Sequence, residues 1–247
     1  ALLSRAKDLR LVVTTTSGTD HLDVSCARER NVTLARCPLA RRDAVVDTSL
    51  AMGLSLLRHL PSLQRRAESG QWARGELPRL APRRIRGRKV GIVGAGVIGS
   101  EAIRRWRALG AEVQFTDPVV PGGVAIDDLC EWSEVLSFHC ALSPSSRQIL
   151  DARRIGLLRP GTVVINTARG DCVDLSALFN ATHLGGIGLD VFPEEPPAEL
   201  EDWARREQVV LSPHAAGFHP DMSADVCREV TAAVEAFLKG HPLPAPV

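Results

Sequence analysis

No stretch of this 247-residue chain approaches the roughly 20 consecutive apolar residues that span a bilayer. Residues 1–10 also lack the basic-then-apolar order of a secretion signal. A cytoplasmic protein is therefore expected. Charge of one sign is missing too, since 30 Lys+Arg stand against 29 Asp+Glu. With no bulk field to draw phosphate backbones or anionic lipid, neither nucleic acid nor a membrane is expected as a partner. The six cysteines (Cys26, Cys37, Cys130, Cys140, Cys172 and Cys227) form no Cys-x-x-Cys and no Cys/His cluster. That speaks against a disulfide framework and a zinc centre, so no metal is expected and the thiols are read as reduced core residues. Lysine is confined to Lys7, Lys89 and Lys239.

What remains is ordinary globular composition, 45% hydrophobic and 24% charged, which excludes disorder as the main state. At roughly 100–200 residues per domain, two modest domains are expected. An apolar run from Leu9 to Thr15 predicts a first strand, followed by a polar turn at Ser17-Gly18-Thr19-Asp20, a short helix after Asp23 and a second strand at Val32–Leu34. Residues 44–63 are apolar on nearly every helical face, which predicts one helix covered on all sides, between domains or in a subunit interface. Residues 70–88 mix Gly, Pro, Trp and Arg without a period and are read as a linker, with a domain boundary near Arg84. The run Arg83, Arg84, Arg86, Arg88 and Lys89 lacks interleaved aromatics and is taken as solvated linker.

Beyond the linker, apolar β-type runs begin near Lys89, Glu112, Val135, Thr162, Gly186 and Val209, with spacings of 23, 23, 27, 24 and 23 residues. That pitch predicts repeated βαβ units, hence a six-stranded parallel sheet with helices on both faces. Helices are expected at Ile98–Leu109 and Ser145–Leu158, and a closing helix at Ser223–Leu238 that returns to the first domain. The fold class is α/β, a doubly wound sheet plus a smaller α/β domain. The expected partition is 1–84 with 219–247 for the smaller domain and 85–218 for the larger.

The sharpest local signal is Gly94-Ala95-Gly96-Val97-Ile98-Gly99, which follows a strand and opens a helix. Gly94 can make the tight turn, Gly96 admits a pyrophosphate to the backbone, Gly99 permits close helix packing, and the helix amino terminus faces the phosphates. The next strand ends at Asp117, 18 residues after Gly99, where a carboxylate can accept from both ribose hydroxyls. This favours NAD over its 2'-phosphate. Three more clusters close later strands, where open α/β sheets place ligands: Asn166-Thr167-Ala168-Arg169-Gly170, Asp190-Val191-Phe192 with Glu194-Glu195-Pro196, and Ser212-Pro213-His214. Singly, each has a bland reading as a surface arginine, an acidic loop or a structural histidine.

In this order, and together with Ser17–Asp23 and Phe138-His139-Cys140-Ala141-Leu142-Ser143-Pro144, the motifs resemble the D-isomer-specific 2-hydroxyacid dehydrogenases. That group contains phosphoglycerate, glyoxylate/hydroxypyruvate and D-lactate dehydrogenases. The resemblance implies an NAD-dependent interconversion of a small 2-keto acid and its D-2-hydroxy acid, carried out by a homodimer. It makes Arg169 the substrate-orienting arginine, His214 the general acid/base and Glu195 its carboxylate partner. Glu195 is preferred to Glu194 because the family's glutamate directly precedes the proline. Backbone amides at Ser17 and Gly18 would bind the substrate carboxylate, Val97 and Ile98 open the phosphate-facing helix, and Thr167 and Asp190 line the nicotinamide end. The short chain before Leu9 departs from the family pattern, so the smaller domain is expected to be incomplete; the stretches 117–126 and 177–186 are also shorter than usual, each where a loop or helix is expected. The alternative function is an NADH-sensing, corepressor-like binding protein of the same fold.

Overall fold

A computed structural model of the protein describes residues 6–247. It divides into two units, one comprising the chain through Ala44 together with Gly217–Val247, the other Val45–Ala216.

In the smaller unit, strands β1 (Leu11–Thr14) and β2 (Thr33–Arg36) pair in parallel, with Leu11 opposite Thr33. Helix α1 (Val24–Glu29) between them starts at Asp23, whose carboxylate accepts from the Cys26 amide and satisfies one of the four open N–H groups of the first turn. Ala27, Val32 and Leu34 form the buried centre of this unit. Its last helix, Met222–Leu238, packs against β1, and Glu229 accepts from the Leu39 and Ala40 amides.

The larger unit is built on β3 (Lys89–Val93), β4 (Glu112–Thr116), β5 (Val135–Phe138), β6 (Val163–Asn166), β7 (Gly186–Leu189) and β8 (Val209–Leu211). All are parallel and adjoin in the order β4-β3-β5-β6-β7-β8. Every side chain of β5, β6 and β7 is buried, as expected of parallel strands covered on both faces, which read as continuous apolar runs. The order reverses between β3 and β5. In doubly wound sheets that reversal is the topological switch point, and the crevice beyond its strand ends is where ligands bind. Residues 117–125 run from β4 to the next helix without a further strand, so the sheet lacks the outer strand of the 3-2-1-4-5-6 order.

Two helices replace the single one expected over residues 44–63. The first, α2 (Arg42–Leu57), is followed by His59 in the left-handed conformation (φ 55), and α3 (Leu60–Glu68) restarts with Pro61 in its first turn. Proline is tolerated there because that N–H has no helical partner. The apolar α2 lies on the sheet, where Val46, Met52, Leu56 and Leu57 share one core cluster with Val90, Ile92, Trp106 and Ile165. Residues 45–84 therefore belong to the larger unit, and the boundary falls at Ala44/Val45 rather than near Arg84. The expected linker is also tied down: Arg83 donates to the Gly161 carbonyl at 2.6 Å and Arg88 pairs with Glu134 at 2.6 Å. Residues 145–148 form turns, Leu150 bridges Val173, and the helix expected from Ser145 spans only Ala152–Leu157. Hydroxyls of Ser143 and Ser146 bond the local backbone there, an alternative to helical hydrogen bonding. Among the described residues, no helix is long and apolar enough to cross a membrane.

Candidate active site at the strand exits

The glycine turn after β3 has the geometry its sequence requires. Gly94 has φ +90, and a Cβ there would lie 2.6 Å from the Cα of Cys140, so both conformation and space demand glycine. A Cβ on Gly99 would strike the Gly94 carbonyl, whereas one on Gly96 would meet nothing within 4 Å. Close helix packing and an open backbone face thus sit side by side. Helix α4 (Val97–Ala108) begins at this turn, so the N–H groups of Val97 and Ile98 belong to its first turn, the positive end of the helix dipole. Asp117, at the exit of β4, accepts from the Ala95 amide (2.7 Å) through one oxygen and from the Val119 and Val120 amides (2.8 and 2.9 Å) through the other. Partial burial pushes its pKa up, but these three amide bonds outweigh that and hold it below the usual carboxylate value. The same carboxylate therefore also shapes the glycine turn.

Two buried side-chain atoms facing no protein partner stand at neighbouring strand exits, Nδ1 of His139 after β5 and Oγ1 of Thr167 after β6. The other ring nitrogen of His139 bonds Ser137 at 2.9 Å, and burial pushes its pKa down to about 4, so the ring is neutral at physiological pH. The glycine cradle, the helix amino terminus, Asp117 and these two atoms fit a bound dinucleotide.

Arg169 follows β6 on a turn shaped by buried Asn166, whose Oδ1 accepts from the Ala168 amide (3.0 Å) and whose Nδ2 donates to the Arg169 carbonyl (2.8 Å). Gly170 packs so closely on the backbone of Phe192 and Pro193 that a Cβ would collide with it. This contact joins the arginine turn to the loop that carries Glu195. His214 Nδ1 and Glu195 Oε2 lie 2.7 Å apart, and Glu195 Oε1 accepts from the Phe192 amide at 3.0 Å. Both side chains are partly exposed, 51% for His214 and 37% for Glu195, so solvent protons can reach the pair. A cavity of about 410 Å³ adjoins them, lined in part by Phe192, Pro196, Leu200, Leu211 and Pro213.

Asp190, expected at the nicotinamide end, is 2% exposed and uses its carboxylate on the histidine turn. It accepts from Ser212 Oγ (2.5 Å), the Ala215 amide (2.8 Å) and the Ala216 amide (3.1 Å), and its carbonyl accepts from the His214 amide (2.7 Å). These bonds hold His214 in a left-handed conformation (φ 53). For a residue with a Cβ that conformation costs roughly 1–2 kcal/mol. Asn166, Ser212 and Asp190 are thus positioning residues; the signal for Asn166 was a lone polar residue ending the apolar run Val163-Val164-Ile165. In the smaller unit, the Ser17-Gly18 turn is braced by Thr16 Oγ1 donating to the Gly18 carbonyl (2.8 Å) and by Thr14 Oγ1, 2.9 Å from His21 Nε2. Among the described residues no group of three His, Cys, Asp or Glu side chains could hold a metal ion.

Residues 50–216 match the family model described as D-isomer specific 2-hydroxyacid dehydrogenase, NAD binding domain. The chain is 31% identical over 255 residues to the glyoxylate/hydroxypyruvate reductase HPR3 of Arabidopsis thaliana, covering 100% of this chain and 78% of the relative. It is 26% identical to a D-3-phosphoglycerate dehydrogenase of Methanocaldococcus jannaschii, of which it spans 48%, while 97% of this chain is covered. Among solved structures, it matches a D-lactate dehydrogenase from Aquifex aeolicus complexed with NAD and lactic acid, with a TM-score of 0.86 at 27% identity over 97% of this chain and 79% of the other. A glyoxylate reductase from Paecilomyes thermophila gives 0.88 at 26%, covering 100% and 77%. With a family model over more than half its length, and a relative of this identity covered over three quarters, the chain belongs to the D-isomer-specific 2-hydroxyacid dehydrogenases, with NAD as its cofactor.

Proposed function

We propose that the protein reduces a small 2-keto acid to its D-2-hydroxy acid, acting as a cytoplasmic homodimer. The observation that carries this reading is the 2.7 Å contact of His214 Nδ1 with Glu195 Oε2. When bound, reduced NAD would supply the hydride for the carbonyl carbon. Charge then builds on the carbonyl oxygen, which needs a positive donor and a proton. Arg169 can orient the carbonyl and the neighbouring carboxylate with its planar two-pronged donor. With Nδ1 committed to Glu195, His214 presents Nε2 as the proton-delivering atom. Phe192 fixes the other carboxylate oxygen, so the pair keeps its geometry as the proton moves. Amides at Ser17 and Gly18 are the candidates for binding the substrate carboxylate, and Thr167 Oγ1 for the nicotinamide end. The glycine turn and Asp117 would hold the pyrophosphate and ribose. Relatives named as glyoxylate/hydroxypyruvate, phosphoglycerate and sulfolactate enzymes support a small acidic substrate.

The test is steady-state oxidation of NADH with a panel of glyoxylate, hydroxypyruvate, pyruvate and longer 2-keto acids, with the mass measured by light scattering. Turnover with at least one acid, lost in His214→Gln, is expected, together with a dimer mass. NADH binding without turnover on any of them would favour the corepressor-like alternative.

A further inference from the structure

We propose that Cys140 and Cys172 form a reversible oxidation site, a disulfide produced by a small peroxide that joins the exits of β5 and β6 beside the dinucleotide turn. The two residues are 32 apart in sequence, yet β5 and β6 are neighbours with Phe138 opposite Asn166. Cys140 lies two residues beyond the first and Cys172 six beyond the second. Their sulfurs are 3.7 Å apart, with the Cys140 thiol directed at Cys172. Cys140 is partly exposed and Cys172 is fully buried, so a small oxidant meets Cys140 first while Cys172 waits behind it.

The surroundings prime the pair. The Cys140 S–H bond, against burial and with help from the Ser146 hydroxyl and the charge of Arg169, pulls the Cys172 pKa down, which suits Cys172 to attack as the second thiolate; the same bond and burial push Cys140 up. The reaction balances as follows. Loss of the Cys140 proton to solvent leaves its thiolate, which attacks one peroxide oxygen; the O–O bond breaks and hydroxide departs. The Cys172 proton converts that hydroxide to water. The Cys172 thiolate then attacks the Cys140 sulfur, the S–O bond breaks, and the second hydroxide takes a solvent proton. Two thiols are oxidised by two electrons in total, and the peroxide is reduced to two waters.

The consequence follows from what holds each cysteine. A disulfide needs the sulfurs about 2.05 Å apart, so they must close by ~1.7 Å from the 3.7 Å in the reduced pair. The Cys140 backbone packs against Gly94 with no room for a Cβ between them. The Cys172 amide donates to the Arg169 carbonyl at 3.2 Å, within the turn pinned by Gly170 on Phe192 and Pro193. Closing the bond therefore shifts the dinucleotide turn, the arginine turn or both, and the oxidised protein binds NADH more weakly.

The test treats the full chain with hydrogen peroxide, maps peptides by mass spectrometry without reduction, and titrates NADH by fluorescence before and after dithiothreitol. The expected result is a Cys140–Cys172 cross-linked peptide and an NADH Kd raised at least fivefold, both reversed by dithiothreitol. Both should be absent in Cys140→Ser and in Cys172→Val, and both retained in Cys227→Ser, whose thiol is exposed. If Cys172→Val does not fold, Cys140→Ser alone decides the matter. Three results would each overturn the proposal: Cys140 oxidised singly with no cross-link, a cross-link that leaves NADH affinity unchanged, or a response that survives in Cys140→Ser. None of these readouts requires turnover, so their failure is distinct from failure of the proposed reaction.

Discussion

Replacing Asp190 with Asn separates two roles that one buried carboxylate could have, holding the histidine turn or contacting the nicotinamide. The substitution keeps size and one acceptor oxygen, so Ser212 and Ala215 retain a partner. The Ala216 amide, shared between the two oxygens at 3.1 Å from each, keeps the first, but the second oxygen becomes a buried amide nitrogen whose donors face that amide instead of accepting from it. A hydrogen bond to a charged group contributes about 1.5–3 kcal/mol against about 0.5–1.5 for a neutral one, and a buried donor left without a partner costs about 1–3 kcal/mol. Summed over the bonds at this carboxylate, a loss of about 2–4 kcal/mol is expected. At about 2–4 °C of Tm for each kcal/mol in a chain of this size, Tm should fall by roughly 5–15 °C. If the whole loss falls on the turn that keeps His214 left-handed, kcat/KM drops by roughly 30- to 1,000-fold at 1.36 kcal/mol per decade. NADH affinity should stay near wild type. The assay is differential scanning fluorimetry, steady-state kinetics and NADH titration on the same preparation. Unchanged kinetics and Tm, or a loss confined to NADH affinity, would refute the positioning role.

Asp117 predicts cofactor choice: wild type should use NADH at least tenfold better than NADPH by kcat/KM, about 1.4 kcal/mol, and Asp117→Ser should narrow that ratio. It should also lower Tm, because three backbone amides lose their acceptor; equal use of both cofactors by wild type would refute it. Acid unfolding should reveal Glu101 and Asp127, both pulled to about 2, Glu101 by Arg104 and then Arg105, Asp127 by Arg153 and then Arg154. Their folded-state values lie below the unfolded values of about 4, so their stabilisation is complete above that range and is lost as pH falls towards about 2. A urea-midpoint series across that window should flatten in Asp127→Asn and remain steep in Asp128→Asn.

The sheet was legible because parallel strands buried on both faces leave short, continuous apolar runs at a regular pitch. The expected starts at Lys89, Glu112, Val135, Gly186 and Val209 are those of the structure, and the fourth strand begins at Val163, one residue beyond Thr162. The glycine turn was legible for a similar reason: only glycine accepts φ +90 at Gly94 or the close approach at Gly99. The break between α2 and α3 was marked by Pro61, but apolar periodicity on both sides hid it. The placement of residues 45–84 was not legible, because an all-round apolar helix states that it is covered without stating by what. Nor did spacing bring Cys140 to Cys172 or Asp190 to the His214 turn. Those pairings exist only once β5, β6, β7 and β8 are ordered side by side, and strand order is a tertiary property.

The central claim is that Glu195 and His214 act as one acid/base unit, and the most direct measurement of it is kcat/KM for keto-acid reduction, with the NADH Kd beside it, in three proteins. Wild type is compared with Glu195→Gln, which keeps the hydrogen-bonding shape but removes the charge 2.7 Å from Nδ1, and with Glu194→Gln on the exposed neighbour. The expected result is a kcat/KM lowered by about tenfold or more in Glu195→Gln, the loss of one charge-assisted hydrogen bond, with NADH affinity near wild type, and neither changed in Glu194→Gln. A loss in Glu194→Gln with none in Glu195→Gln, or no loss in either, would contradict the account.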